Sequence, residues 1–272
     1  METGNHNNHT RTIKLNRLLI YFLLAFVFLF GGSFYVLTSV RVGNAIKRLH
    51  QKALEHEMQD NAALLRANLE NRVSILRDQA QLPLIINSVM HPEQDPVGIK
   101  DYLTNISIFG SKPRFALLDF TGIPIAVTKT SPGLEYDSFP WLSEILEGRK
   151  KQQISLRSTA KGKYFWELAV PVEYNNNPEG VLVADFPLNQ TKNFFYWDED
   201  SARALILFQG KKQVLRYGKK LTHPVSKKVD LPELGIVMQY EIDGAAAAKL
   251  QKNLLLQLLA ITAITAVLFG YI

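Results

Sequence analysis

The sequence predicts an α+β protein held between two transmembrane helices, and three observations carry that prediction. Uncharged apolar blocks stand at both ends, a long stripe of apolar residues at helical spacing follows the first, and the strands beyond it have no long helical crossover between them. The 272 residues carry no cysteine, so a disulfide framework, a thiolate metal site and a cysteine nucleophile are excluded.

The first block, Leu18 to Val40, runs 23 positions without a charge, and at about 1.5 Å per residue it covers the hydrocarbon core. It ends in bulky residues and runs into an amphipathic helix, which reads as a retained anchor rather than a cleaved signal peptide. The second block, Asn253 to Ile272, is uncharged over 20 positions and is led in by Lys249 and Lys252. Arg11, Lys14 and Arg17 against Glu2 before the first span favour a cytoplasmic leader, placing residues 41–252 outside the inner membrane. The net charge of +6 is otherwise spread thinly. Arg149-Lys150-Lys151, Lys211-Lys212, Lys219-Lys220 and Lys227-Lys228 lie beside Gly or Pro in solvated turns, with contact to lipid headgroups as the other reading, and no nucleic-acid motif accompanies them.

The expected organisation is a leader (1–17), a first span (18–40), a long amphipathic helix (41–91), a membrane-distal module (92–192), a small membrane-proximal module (193–248) and a second span (249–272). In the long helix Leu54, Met58, Ala62, Leu65, Leu69, Val73, Leu76 and Ala80 recur at intervals of 3 or 4 and form one apolar face. That face meets the following sheet, a second copy of the helix in a homodimer, or both. Pro83 breaks or kinks it, and residues 91–96 form a loop. A short helix near 100–109 precedes the strands.

Arg114–Asp119 and Ile123–Thr128 read as a hairpin around Phe120-Thr121-Gly122, with Asp119 capping the turn. Ser138–Glu147 is a short helix with Pro140 in its first turn. Strands follow at Gln153–Arg157, Lys163–Val172 and Gly180–Phe186, the last two separated by a turn over 174–180. Further strands are expected at Ala204–Phe208, Gln213–Tyr217 and Gly235–Ile242. The sheet is mostly antiparallel.

The hairpin LLDFTGIPIA, the helix FPWLSEILEG and the pair ELAVPVEYNNNPEGVLVADFPL, set between two spans after a long helix, resemble the Cache family of PAS-like extracytoplasmic sensor domains. The resemblance covers residues 42–190 well and 193–245 weakly, as a reduced second module would. It implies the input region of a membrane-bound signal-transduction receptor: a histidine kinase first, then a diguanylate cyclase, then a chemoreceptor. It implies a small-molecule ligand between the distal sheet and its covering helix. Family members continue into a cytoplasmic output domain, so the sequence is read as lacking one. Trp141 and Asp185 match the tryptophan and the last-strand aspartate of the amino-acid-binding subgroup. Phe139, Leu142 and the Ser155-Leu156-Arg157 stretch depart from its arginine, tyrosine and Tyr-x-Asp positions.

Candidate ligand-binding residues are Trp141, Arg157, Tyr164, Trp166 and Asp185. Asp185 shares a strand face with Val181 and Val183, so it turns inward or ends the strand in solvent. If it is buried it needs a partner, for which Arg157 is the candidate; that pair holds a polar ligand or satisfies itself. Tyr164 and Trp166 share a face and serve as pocket wall or as plain core. No catalytic or metal motif is present, the six histidines form no ligand set, and no cofactor is expected. The rival reading is a bitopic membrane interaction protein whose outer domain binds a protein partner.

Overall fold

The structure, a computed structural model, describes residues 6–128, 136, 139–159, 162–195, 203–245, 249, 252–257, 259–261 and 263–264. The chain divides into two compact units, Leu54–Ile242 and a smaller one made of Met1–Ala53 with Asp243–Ile272.

Helix α1 (His6–Ala80) opens the chain. In the smaller unit its described side chains include Tyr21, Phe22, Phe26, Leu29, Phe30, Phe34, Leu37 and Val40, all exposed, and the Phe26 and Phe30 ring centres lie 4.4 Å apart with planes tilted by 30°. After Asp243, helical residues expose Leu254, Leu256, Leu259, Ile261 and Ile264. Among the described residues no helix is long and apolar enough to cross a membrane. The side chains of Leu18, Leu19, Ile20, Leu23, Leu24, Val27 and Phe28, which belong to the first expected span, lie outside the described residues, as do 265–272 of the second.

In the larger unit all eight positions of the apolar stripe, Leu54 to Ala80, are buried. They pack into one core with both sheets, so the stripe is spent within the chain itself. Pro83 starts α2 (Pro83–Met90), and Leu82 before it is held extended at ψ 138°, as the residue preceding a proline must be. α3 (Pro96–Asn105) begins at a second proline, where Asp95 Oδ1 accepts from the Gly98 N–H at 2.8 Å. It thus starts before the expected 100–109 segment, because this cap and Pro96 set the start.

The first sheet holds β1 (Arg114–Asp119), β2 (Pro124–Val127), β3 (Gln153–Ser158), β4 (Tyr164–Tyr174) and β5 (Asn177–Pro187), in the order β2-β1-β5-β4-β3. Its pairings are all antiparallel. Asp119 Oδ1 accepts from the N–H groups of Thr121 and Ile123 and from the Thr121 hydroxyl, closing the first hairpin as expected. Between β4 and β5 the turn is only Asn175-Asn176, with φ of 50° and 64°, the two left-handed residues of a tight hairpin. The strands therefore run several residues further than the sequence suggests. One face of the sheet packs on α1 and α2 through residues such as Leu117, Leu168, Val170, Leu182 and Ala184. The other carries Ala116, Leu118, Ala169, Val181 and Val183 and is covered by α4 (Pro140–Leu146).

The second sheet holds β6 (Arg203–Gln209), β7 (Lys212–Gly218), β8 (Pro224–Leu231) and β9 (Ile236–Asp243), in the order β7-β6-β9-β8. β8 was not expected: it is a mostly exposed edge strand carrying Lys227 and Lys228, without the apolar alternation that marks a half-buried strand. Tyr240 donates to Glu57 of α1 at 2.9 Å, and its hydroxyl pKa is pushed up to about 12 by burial and by that carboxylate.

Candidate functional site

Strand alternation sets the chemistry of the α4 side. Arg114 stands opposite Asp185 in the β1–β5 register, Asp185 opposite Glu167 in β5–β4, and Glu167 opposite Ser155 in β4–β3. These four lie in one row across the sheet, with Arg157 and Phe165 in the next row. One ion pair, Arg114–Asp185, lies within the row, and a second, Arg157–Glu167, joins it to the next. Ser155 Oγ donates to Glu167 at 3.3 Å, and Arg114 donates to the Tyr136 hydroxyl at 3.0 Å.

Both carboxylates are almost out of water, Glu167 at 0% and Asp185 at 5% exposure. Burial raises the Glu167 carboxyl to about 7, more than Arg157 lowers it, with the neighbouring Asp185 charge adding to the rise. Burial likewise raises Asp185 to about 6 against the pull of Arg114. The Tyr136 phenol is shifted upward, first by burial and then by the Asp185 charge. Asp185 Oδ1 and Arg114 Nε are buried with no hydrogen-bond partner among the described residues.

Aromatic rings close the cluster. The Arg157 guanidinium lies 3.8 Å from the centre of the Phe139 ring and 5.7 Å from that of Phe165. Phe139 stacks on Trp141, with centroids 5.9 Å apart and planes within 6°. Proline at the first turn of α4 forces this local shape: Phe139 sits extended before Pro140, so its ring turns back over the sheet while Trp141, Leu142 and Ile145 become the buried face of the helix. An open groove of about 510 Å³ runs between α4 and the β1–β2 turn, lined by Phe120, Thr121, Phe139, Leu142, Leu146 and Glu147 among others. Phe139 is the wall it shares with the charged cluster.

Of the residues singled out in the sequence, Trp141, Arg157 and Asp185 are brought to this side. Tyr164 and Trp166 are not. Their alternate positions on β4 turn them to the opposite face, where Trp166 is fully buried and donates to Thr191 at 2.9 Å. Tyr164 packs on the same core, with the Lys212 ammonium 5.3 Å from its ring centre. The expected Arg157–Asp185 pairing is replaced by pairings of Asp185 with Arg114 and of Arg157 with Glu167. Arg114, Glu167 and Tyr136 were missed. Alternation from Trp166 places Glu167 on the other face, but the sequence holds no signal that β1 lies beside β5.

Among the described residues no group of three or more His, Cys, Asp or Glu is placed to hold a metal ion. No protein-family model matches the chain, and no curated protein matches it by sequence. Solved structures do resemble it. The sensor domain of the V. cholerae histidine kinase DctB shares 12% identity and a TM-score of 0.54, over 74% of this chain and 98% of that one. The ligand-binding domain of the Pseudomonas fluorescens chemoreceptor CtaA, in complex with L-isoleucine, shares 16% identity and a TM-score of 0.54, over 76% and 98%. The same domain with L-leucine gives 16% and 0.52, over 75% and 99%. The chain has the fold of these receptor sensor domains. At these identities it is the fold that is shared.

Proposed function

We propose that this chain is the ligand-sensing input region of a membrane-bound signal-transduction receptor, reading its input where α4 covers the first sheet. One observation carries the proposal: on a sensor-domain fold, two buried ion pairs lie on the sheet face that a short helix packs against, and one of their arginines touches a ring that also walls an open groove. A purely structural sheet face gains little from such pairs, since apolar residues of similar volume cover it at lower desolvation cost. A ligand in the groove contacts Phe139 directly and reaches the charges through it. CtaA, of similar fold, is complexed with L-isoleucine and L-leucine, which supports a small organic ligand here.

The two uncharged end segments are the proposed membrane spans, supported by their length and by the exposed large apolar side chains of both. Residues 41–252 are then extracytoplasmic, and the segment boundaries expected from sequence stand as part of the proposal. A histidine kinase output is favoured, then a diguanylate cyclase, then a chemoreceptor. A homodimer through α1 uses positions other than the buried stripe from Leu54 to Ala80.

The test is a thermal-shift screen of the full chain in detergent against amino acids, carboxylates, amines and nucleobases. The proposal expects a stabilising ligand whose effect is lost in Asp185→Ala and Trp141→Ala. No ligand, together with a stoichiometric protein partner retained by the outer region, favours the interaction-protein reading.

A further inference from the structure

Glu167 and Asp185 stand opposite one another on adjacent strands, both on the sheet face that α4 packs against and both nearly dry. Two carboxylates so placed are costly to ionise together, and the cost is shared by one arginine on each. Arg157, the partner of Glu167, also lies over the ring of Phe139, the residue that leads into α4. One side chain therefore ties the charge on this carboxylate pair to the seating of the covering helix.

The groups facing the pair come from every neighbouring element described. They are Arg114 from β1, Arg157 and Ser155 from β3, and Tyr136 from the segment before α4. α4 turns only Trp141, Leu142 and Ile145 inward. Its Glu144 pairs with Lys150, and Glu147 beyond its end pairs with Arg149.

We infer that the proton is a ligand of this same face: protons bound by Glu167 and Asp185 keep Phe139 and α4 seated on the sheet, and their loss loosens the helix. This rests on the functional reading above and names one input that the site takes. The direction follows from linkage, because a proton favours the state that binds it more tightly. In the seated state burial holds Glu167 at about 7 and Asp185 at about 6, whereas lifting α4 lets water in and returns both toward 4.5 and 3.8. Acidification through that window populates the seated state. Each unit of difference is a tenfold bias, so Glu167 alone supplies at most two to three decades.

The test is amide hydrogen exchange on the full chain in detergent, corrected for the intrinsic pH dependence of exchange. Residues of α4 are expected to exchange roughly tenfold or more slowly at about pH 5.5 than at about pH 8, with the second sheet unchanged. Glu167→Gln, a permanent mimic of the protonated acid, is expected to shrink the pH dependence to the part that Asp185 supplies, and Glu167→Gln combined with Asp185→Asn is expected to keep α4 protected at both values. Asp101→Asn, on the exposed side of α3, keeps the wild-type profile. Should Glu167→Gln not fold, Ser155→Ala removes a hydrogen bond to the ionised carboxylate and raises the midpoint. A flat wild-type profile, or a folded Glu167→Gln protein that retains the wild-type profile, overturns the inference. A flat profile alongside a ligand shift that Asp185→Ala abolishes overturns the proton and leaves the small-molecule reading standing. A pH-dependent α4 with no ligand in the screen keeps the proton and removes the organic ligand.

Discussion

Arg114 and Asp185 occupy opposed positions on β1 and β5, strands far apart in sequence, and their side chains pair with exposures of only 9% and 6%. The pair thus reports directly on the non-local pairing that builds the first sheet. Removing one member strands the other charge in a dry site. Asp185→Ala is expected to cost the Leu54–Ile242 unit about 3–5 kcal/mol, whereas Arg114→Met combined with Asp185→Leu costs far less or is stabilising. Urea unfolding of the full chain in detergent measures both, and equal losses in the two proteins contradict the assignment.

The pH dependence of stability has a definite sign. Glu167 and Asp185 have folded-state pKa values above their ordinary ones, so the folded state binds protons more tightly than the unfolded chain. Their contribution is fully present below about pH 4 and is lost as pH rises through about 6 and 7. Glu167→Gln is therefore expected to be more stable than wild type at about pH 8, by on the order of 1–3 kcal/mol, with the difference shrinking toward about pH 5. Paired unfolding curves at the two pH values decide it.

Gly180 on β5 marks a close approach of β5 to β1 and α2. A Cβ there would sit 2.4 Å from the Leu118 carbonyl oxygen and 2.8 Å from Val89 Cγ1 of α2. Neither the strand backbone nor a helix packed in the core yields cheaply, so Gly180→Ala is expected to destabilise by about 1–3 kcal/mol. A change within about 0.5 kcal/mol would show α2 to be seated more loosely than this.

Arg72 is a buried cation on α1, 4% exposed, with its guanidinium 4.1 Å from the Phe194 ring centre, 5.0 Å from Phe109 and 5.5 Å from Phe186. Desolvation lowers its pKa to about 10. It donates to Asn68, and its Nε is buried without a partner among the described residues. Its stem and planar head fill space that alanine leaves empty. Arg72→Ala is expected to lose about 2–4 kcal/mol, and Arg72→Met to be close to wild type because it keeps the packing without the desolvation cost. Denaturation midpoints of the two variants separate packing from charge.

Much of this architecture was legible because it is local. Eight positions at helical spacing fixed the buried face of α1, Asp119 fixed the first turn, and alternation correctly grouped Asp185 with Val181 and Val183. Two kinds of information were missing. Phe165 to Val170 are all buried, so β4 reads as a continuous run and nothing in it says whether Trp166 or Glu167 faces α4. The adjacency of β1 and β5 is set by the sheet as a whole, which is why Arg114 was not paired with Asp185. β8 was missed for the opposite reason, since an exposed lysine-bearing edge looks like a loop.

The central claim is that a sensor-domain fold is presented outside the cell membrane by the two apolar ends of the chain. The absence of cysteine permits a direct measurement, in which single cysteines replacing Asp101 on α3 or Glu2 in the leader are exposed to a membrane-impermeant maleimide on intact cells. The account predicts labelling at position 101 in intact cells and at position 2 only after lysis. Protection of position 101 until lysis, or recovery of the chain as a soluble protein without detergent, would contradict it.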